Sequence, residues 1–309
     1  MTAASGPAWP RRWARYPAAL LVALSFFLLL PTGAVRSQDL SGELATYLST
    51  EADTFVAIAQ RFDLGYVELL AANPGVDPWL VGAGRVILLP SAHLLPDGPR
   101  EGIVINLADQ RLYFFPPDGA AMRSFPIGLG RKDWETPTGE TRIVDKRYKP
   151  SWVPPASIRA EKPHLPAAIP PGPANPLGDH ALDLDWESYV IHGTNRAAGI
   201  GRRISHGCIR LYPDDIAWLF GRVAIGTKVR IVDQPAKVGW IGGDLYLEVH
   251  PNQRQADELE KDRRFAPEPI PELIWRINRA AGDDAGRLDW TAARQAVEER
   301  RGIPVRITR

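Results

Sequence analysis

Between residues 102 and 249 the sequence is a series of short apolar and β-branched runs separated by turn residues, and this pattern limits the fold more than any other feature. Residues 103–107 and 111–115 flank the turn-like 108–110 and predict a hairpin. Further strands are predicted at residues 122–127, 141–144, 189–192, 228–232 and 245–249. The fold class is therefore mostly β, with the strands closed into a barrel or stacked as a sandwich.

A single clear helix is predicted within this β-rich region, over residues 213–222. Pro213 suits the first helical turn, where its missing N–H costs nothing. Ile216, Leu219 and Phe220 recur at helical spacing, so we expect them to face the core.

The sequence divides into four predicted parts. Residues 1–37 form a signal peptide and residues 43–95 a small module. Residues 100–235 form the β-rich domain, and residues 236–309 a strand extension with a charged helical tail. Two helices and one strand are predicted in the module, the second helix over residues 66–72 and the strand over 85–90. The tail helices are predicted at 256–264, 271–281 and 290–301, and their mixed charges are typical of solvated helices.

The first residues have the layout of a secretory signal. Arg11, Arg12 and Arg15 precede an apolar run over 18–30, and small residues lead to a cleavage site near Ser37. An uncleaved N-terminal anchor is the alternative, and in either case the bulk of the chain is exported.

The charge of the exported part argues against nucleic acid as a partner. Removing residues 1–37 removes four arginines and no acidic residue, which leaves 33 basic against 36 acidic side chains, a net charge of −3. Nucleic-acid binding needs a basic face, and no run of basic residues occurs in this part.

Cys208 is the only cysteine in 309 residues, so it cannot form an intramolecular disulfide. It is a reactive thiolate, a metal ligand or a buried filler, and an imidazole nearby favours the first. His192 lies 16 residues earlier, at the end of a predicted strand. If residues 204–211 are extended, His206 and Cys208 share a face. One imidazole is then the general base and the other shapes the pocket, but the spacing does not say which.

The glycines and the remaining histidines complete the candidate site. Gly193 and Gly207 are expected to let backbone approach a substrate, and the N–H groups around residues 207 and 208 are candidate oxyanion donors. Metal binding by His192, His206 and Cys208, with His180, is disfavoured because paired ligand spacings are missing. We expect structural or surface roles for the three other histidines, which are His93, His164 and His250.

The proline-rich stretch over residues 150–176 cannot join a sheet interior. A long irregular segment inside a compact domain is usually functional, so we interpret it as a stiff lid over the site.

The strings HGTN and IGRRISHGCIRLYPDDIAWLF closely resemble the signature of the L,D-transpeptidase (YkuD-type) catalytic domain. GIVINLADQRLYFFP and FPIGLGRKDWETPTGE extend the resemblance to a periplasmic subfamily that couples peptidoglycan stems to one another or to outer-membrane proteins. DTFVAIAQRF, LLAANPGVDP and GRVILLP resemble a LysM module, although its usual first strand is not recognised here. The module either binds glycan or only braces the enzyme.

This resemblance implies a reaction. Cys208 would attack a tetrapeptide stem, release D-Ala and keep a thioester that an amine acceptor opens, with His192 as proton acceptor and donor. The acceptor would be a second stem or an outer-membrane protein or lipoprotein, and no metal or cofactor is implied. Arg210 would fix the motif or a substrate carboxylate. The pocket would be shaped by Ser205, His206, Gly207 and Arg210.

Two other functions stay open. Water in place of the amine would make the protein an L,D-carboxypeptidase or an amidase, because the thioester is common to both reactions. A wall-binding scaffold with an inert β domain is the third reading.

Overall fold

The structure is a computed structural model that describes residues 39–309. The predicted signal peptide at residues 1–37 lies outside the described residues. Within residues 39–309, no helix is both long enough and apolar enough to cross a membrane.

The described chain contains strands, helices and two short 3-10 helices. The strands are β1 (Leu40–Ser41), β2 (Ala45–Leu48), β3 (Val86–Leu89), β4 (His93–Leu94), β5 (Gly102–Asn106), β6 (Arg111–Phe115), β7 (Arg123–Pro126), β8 (Leu129–Gly130), β9 (Gly139–Tyr148), β10 (His180–Leu184), β11 (Val190–His192), β12 (Arg203–Ser205), β13 (Ile209–Arg210), β14 (Lys228–Val232), β15 (Ala236–Ile241), β16 (Asp244–Val249) and β17 (Pro304–Arg306). The α-helices are α1 (Phe55–Arg61), α2 (Tyr66–Ala72), α3 (Ala156–Glu161), α4 (Pro213–Phe220), α5 (Gln253–Asp262), α6 (Leu273–Ala281) and α7 (Trp290–Glu299). The 3-10 helices span Ala197–Gly199 and Gly282–Arg287.

An eight-stranded curled sheet forms the centre of the protein, in the order β13-β11-β10-β9-β14-β5-β6-β7. The β14–β5 and β11–β13 pairs are parallel, and the other pairs are antiparallel. β5 and β6 are buried on both faces, because Ile103 and Leu112 pack into the main core while Val104 and Tyr113 join a second cluster. Burial on both faces explains why these strands are continuous apolar runs. The prediction of a mostly β fold is confirmed.

Helix α4 closes the main core from one side of the sheet. Pro213 begins the helix, and Ile216 and Leu219 are buried against the strands, as the helical spacing predicted. The helix packs against β10. The sheet face under α4 is therefore filled, and the opposite face of β10, β11 and β13 is left for the site.

The predicted module at residues 43–95 has its own hydrophobic cluster, built mainly from α1, α2 and β3. Thr54 caps α1 by accepting a hydrogen bond from the N–H of Ala57 at 3.2 Å. The structure also contains the first strand that the sequence did not reveal: β2 pairs antiparallel with β3. β2 was missed because Leu48 and most of its other side chains are exposed, so it carries no buried-face alternation.

The C-terminal part packs more tightly than its charge pattern predicted. Strands β15, β16 and β17 form an antiparallel sheet that shares a hydrophobic cluster with α6 and α7. Ala256 and Leu259 of α5 join the module's cluster. The predicted helical tail is confirmed, and each helix buries one apolar stripe while its other face carries the alternating charges.

A buried network of charged side chains connects the parts that the sequence separates. Lys237 Nζ lies 2.7 Å from both Asp109 Oδ2 and Glu248 Oε1, and all three side chains are fully buried. Burial alone would lower the pKa of Lys237, but the two carboxylates outweigh it and raise that pKa. His250 Nε2 lies 2.6 Å from Glu248 Oε1, which continues the network into the C-terminal sheet.

The same network reaches the module through His93. Its Nδ1 lies 3.4 Å from Glu248 Oε1 and its Nε2 3.0 Å from Glu68 Oε1 on α2. Burial would raise the pKa of Glu68, but Arg111 and His93 outweigh it and hold that pKa at about 2. The predicted structural role of His93 and His250 agrees with their burial, and His164 is exposed.

Candidate functional site

The two principal candidates lie at two adjacent parallel strands: His192 ends β11, and Cys208 directly precedes β13. β11 and β13 pair in the register Ile191–Ile209 and His192–Arg210. Both isoleucines are fully buried in the main core. Because side chains alternate along a strand, His192, Arg210 and the preceding Cys208 all lie on the opposite face of the sheet. The structure therefore brings Cys208 and His192 to one face.

The chain around Cys208 is not one extended strand, so the prediction for residues 204–211 is wrong. β12 ends at Ser205 and pairs with β8 in a separate two-stranded sheet. Gly207 follows with φ +97°, a conformation that L-residues rarely adopt. This bend sends His206 and Cys208 to different partners. His206 meets Trp134 edge-on at 5.0 Å, whereas Cys208 Sγ donates to the Ser188 carbonyl at 3.5 Å.

Two hydroxyl groups fix the bend at both sides of the cysteine. Thr136 Oγ1 donates to the Gly207 carbonyl at 2.9 Å, and Ser205 Oγ donates to the Cys208 carbonyl at 2.7 Å. Because a trans peptide directs its C=O and N–H to opposite sides, the Thr136 bond also orients the N–H of Cys208. Within the part of the chain that the structure describes, the N–H groups of Gly207 and Cys208 donate to no acceptor. Both are therefore free to bind an oxyanion.

The hydrogen bonding of His192 selects its tautomer. Its Nδ1 lies 2.5 Å from the Gly193 carbonyl, which can only accept, so Nδ1 carries the proton and Nε2 keeps its lone pair. Burial, followed by the charge of Arg210, lowers the pKa of His192 to about 3, against the raising effect of the Gly193 and Leu177 carbonyls. The imidazole is thus neutral at physiological pH and presents Nε2 as a base.

Cys208 is held as a thiol in the resting protein. Burial raises its pKa, and Asp183 adds to this effect, while the Val190 backbone, Arg210 and Arg147 oppose it. A raised thiol pKa next to a lowered imidazole pKa makes the resting pair uncharged.

Three arginines surround this face, and they differ in how they are paired. Arg147 forms a bidentate ion pair with Asp183, at 2.6 and 2.7 Å. Arg210 has no carboxylate partner among residues 39–309, and its Nε is buried without an acceptor. Arg196 is exposed and close enough to lower the pKa of Arg210, although burial is the larger cause. The sequence indicated Arg210 but gave no sign of Arg147 or Asp183, which lie on β9 and β10.

The proline-rich segment at residues 150–176 is ordered and carries the helix α3, which was not predicted. Trp152 and Ile169 exchange backbone hydrogen bonds of 2.9 and 2.8 Å, and the fully buried Asn175 donates to the Pro150 carbonyl at 2.7 Å. At the end of α3, Glu161 Oε2 lies 3.0 Å from His206 Nε2. The segment thus contacts the loop that carries Cys208.

Glu161 has a second partner in Arg131, at 2.8 Å to each of its oxygens. Hydrogen bonds from His206 and then Arg131 lower the pKa of Glu161. These groups are well exposed, so the contact is a weak and reversible attachment of α3 to the site. His206 therefore faces the proline-rich segment, and not the sulfur.

Gly207 and Gly193 are required for different structural reasons. Gly207 needs its positive φ, and a Cβ there would lie 3.0 Å from the Tyr189 ring. A Cβ on Gly193 would lie 3.2 Å from Ile216 of α4. Gly193 is thus needed for packing against the core helix, which corrects the expectation that it opens space for a substrate.

The four residues considered as metal ligands, His180, His192, His206 and Cys208, do not come together as a ligand group. His180 contacts the rings of Tyr148 and Phe220, and His206 contacts Glu161. In residues 39–309, the one set of at least three acidic, histidine or cysteine side chains with ligand atoms within 4.8 Å of one another is Asp109, Glu248 and His250. The ammonium of Lys237 already lies between the two carboxylates of that set.

The module braces the approach to the motif. The N–H groups of Tyr66 and Val67 at the start of α2 donate to the carbonyls of Ile200 and Gly201, at 3.3 and 3.0 Å. Tyr212, just after β13, donates to the Leu64 carbonyl at 3.0 Å. The first turn of α2, whose N–H groups lack helical partners, is thus capped by the chain that leads to Cys208.

Fold and site together define a mostly β protein with a cysteine and a histidine on one sheet face. The family model described as YkuD, L,D-transpeptidase catalytic domain, matches residues 100–231. The probable L,D-transpeptidase YcfS of Escherichia coli K12 is 41% identical over 271 residues, covering 85% of this chain and 82% of that protein. The probable L,D-transpeptidase ErfK/SrfK of the same strain is 40% identical over 263 residues, covering 83% and 82%. The crystal structure of L,D-transpeptidase 3 from Mycobacterium tuberculosis is 20% identical, with a TM-score of 0.34 over 48% of this chain and 67% of that one.

This protein belongs to the L,D-transpeptidase family, and it is a transferase with a YkuD-type catalytic domain.

Proposed function

We propose that Cys208 is the nucleophile of an L,D-transpeptidase reaction on peptidoglycan tetrapeptide stems. Sγ attacks the carbonyl between the third residue, meso-diaminopimelate, and the terminal D-Ala. His192 Nε2 takes the thiol proton and then gives it to the departing amine of D-Ala. The S–C bond forms first and gives a tetrahedral oxyanion. Its collapse breaks the C–N bond, releases D-Ala and leaves a thioester that an amine acceptor opens. The observation that supports this proposal is that His192 ends β11 while Cys208 directly precedes the neighbouring β13, with His192 Nδ1 bonded to the Gly193 carbonyl so that Nε2 keeps its lone pair.

The surrounding groups support the steps in which charge develops. The free N–H groups of Gly207 and Cys208 would receive the oxyanion, and removing one such donor typically costs about 2.7–4 kcal/mol of transition-state stabilisation. Thr136 and Ser205 would keep those groups in position. His206 would shape the pocket indirectly, by holding Glu161 and with it the proline-rich segment, which we propose is the lid.

Acceptor and location follow from the resemblance and complete the proposal. The amine would come from a second stem, giving a 3-3 cross-link, or from a lysine of an outer-membrane protein or lipoprotein. The protein would work in the periplasm after export by residues 1–37. The module at residues 43–95 has the strand–helix–helix–strand order of a LysM-like unit, and its contacts to residues 200 and 201 support a bracing role. The chemistry needs no metal or organic cofactor, because the side chains supply both the nucleophile and the base.

The test is intact-mass analysis of the protein without residues 1–37, incubated with purified tetrapeptide muropeptides. Wild type is expected to gain a stem lacking D-Ala and to form cross-linked dimers, whereas Cys208→Ala gains nothing. Tripeptide as the sole product would contradict transpeptidation and favour the hydrolase. Neither adduct nor product, with unchanged sacculus binding by Cys208→Ala, would favour the scaffold.

A further inference from the structure

Arg210, beside the proposed nucleophile, is a half-buried cation that pairs with no carboxylate among residues 39–309. Its Nε is buried and donates to no acceptor, and burial lowers its pKa. A buried charge is costly unless it is paired. Other arginines around the motif satisfy this rule, since each has a carboxylate: Arg131 with Glu161, Arg147 with Asp183, Arg202 with Glu260 and Arg203 with Asp257. The guanidinium of Arg210 is thus a site for an anion that the protein itself does not supply.

The neighbourhood strengthens the same conclusion. Arg196 adds a second positive charge close to Arg210, and the repulsion between the two would be relieved by an anion between them. A planar guanidinium binds a carboxylate through two parallel hydrogen bonds, which makes a carboxylate the best fit.

Strand register indicates which side of the reacting bond this anion occupies. Arg210 lies directly opposite His192 in the parallel pair, whereas Cys208 lies two residues earlier, just before β13. The leaving amine must approach the imidazole to receive its proton, so the leaving group lies on the Arg210 side of the sulfur. The carboxylate of D-Ala is attached one carbon from that amine.

We propose that Arg210, assisted by Arg196, binds the carboxylate of the terminal D-Ala and thereby selects donor stems that end in a free D-alanyl carboxylate. This inference rests on the proposed transpeptidation and deepens it. Recognition of the leaving group positions the scissile carbonyl over Sγ, and it favours the departure of D-Ala over attack at other amides of the stem.

The test compares three donor peptides: L-Ala-γ-D-Glu-meso-diaminopimelate-D-Ala as the free acid, its C-terminal D-Ala amide, and its analogue amidated on the distal diaminopimelate carboxylate. The rate of release of D-Ala or its amide is measured for wild type, Arg210→Gln and Arg210→Lys. We expect wild type to favour the free acid over the D-Ala amide in kcat/KM by about 30-fold, the scale of a charge-assisted pair. Arg210→Gln should lose this preference by slowing on the free acid alone, and Arg210→Lys should recover part of it.

Arg142→Gln is the matched control, because it removes an exposed arginine that pairs with Asp185 at 2.8 Å on the same sheet. It should keep the wild-type preference. An equal loss by Arg210→Gln on all three donors would overturn the proposal in favour of a structural role. A preference that vanishes with the diaminopimelate amide instead would assign the guanidinium to the other carboxylate and also overturn it.

Binding separates this inference from the reaction itself. The free acid and the D-Ala amide are titrated into Cys208→Ala protein by calorimetry, with and without Arg210→Gln. Tighter binding of the free acid that disappears in the double variant supports the carboxylate site even if wild type releases no D-Ala, in which case only the transpeptidation proposal fails. Equal binding of both peptides to Cys208→Ala overturns the carboxylate site.

Discussion

The protein buries ionisable side chains in two regions that treat charge in opposite ways. Around Lys237 the buried charges are paired, with carboxylates 2.7 Å from the ammonium on two sides. On the face of Cys208, Arg210 pairs with no carboxylate among residues 39–309, while burial raises the pKa of the Cys208 thiol and lowers that of His192 to about 3. The first region joins three segments of the chain, and we propose that the second gains charge when a substrate binds. The buried charges that hold the fold together are therefore paired, whereas the charge beside the proposed nucleophile is not.

The largest expected effect comes from breaking the paired region. Lys237→Met leaves Asp109 and Glu248 as buried carboxylates without their cation, so we expect the free energy of unfolding to fall by about 3–5 kcal/mol. Denaturant unfolding monitored by circular dichroism measures this change.

Arg210→Met is the counterpart for the other region. It removes a desolvated cation that no carboxylate stabilises, so the free energy of unfolding should stay unchanged or rise. A loss in Arg210→Met as large as that in Lys237→Met would show that the two regions do not differ in this way.

A second effect appears as the pH falls. The pKa of His192 is about 3 in the folded chain against about 6.5 when unfolded, so the unfolded chain binds a proton that the folded chain refuses. The contribution of His192 to the free energy of unfolding is therefore complete above about pH 6.5. It falls by about 1.4 kcal/mol per pH unit down to about pH 3. Between pH 7 and pH 5, wild type should therefore lose about 2 kcal/mol more than His192→Gln.

Urea unfolding at the two pH values measures this difference in free energy. Glu68 has a pKa of about 2 in the folded chain, and its contribution to stability changes only at pH values below this range. His164→Gln removes an exposed histidine and should behave as wild type. If the free energies of unfolding of wild type and His192→Gln fell equally between the two pH values, the imidazole would not be held neutral.

A third and smaller effect concerns the uncharged groups that keep the site in shape. Thr136→Val preserves side-chain volume but removes the hydrogen bond to the Gly207 carbonyl, so the Cys208 N–H loses its fixed direction. We expect kcat for stem acylation to fall about 10-fold with KM little changed, the scale of one hydrogen bond. Thr138→Val, at an exposed position two residues later, should leave kcat unaltered. A rise in KM at constant kcat would place Thr136 in substrate binding instead.

The smallest effect is expected where a charge pair is exposed. Glu161→Gln weakens the attachment of α3 to Arg131 and His206 without exposing a buried charge. The melting temperature should not change measurably, while hydrogen exchange of the amides in residues 156–162 should become faster. Glu101→Gln, which breaks an exposed pair with Lys228 at 2.8 Å, should leave that exchange as in wild type. Unchanged exchange in Glu161→Gln would remove the role of this residue in holding the segment.

Patterns of local sequence predicted much of the architecture. The apolar runs at β5 and β6 and the start of α4 at Pro213 are confirmed, because each depends on neighbouring residues alone. Strands with a weaker pattern were not predicted. In β10 the partly exposed Asp183 interrupts the buried residues Ala181, Leu182 and Leu184, and β13 has only two residues.

The sequence by itself determined that this chain is mostly β, that its one cysteine lies in a Ser-His-Gly-Cys motif of the L,D-transpeptidase family, and that His192 and His206 are the candidate imidazoles. The tertiary structure decided which of the two imidazoles lies on the side of Cys208. Strand register places His192 there, while the positive φ of Gly207 turns His206 toward Glu161. It also decided which charges are paired. Lys237 meets Asp109 across 128 positions of the chain, and no local pattern encodes a contact over that separation.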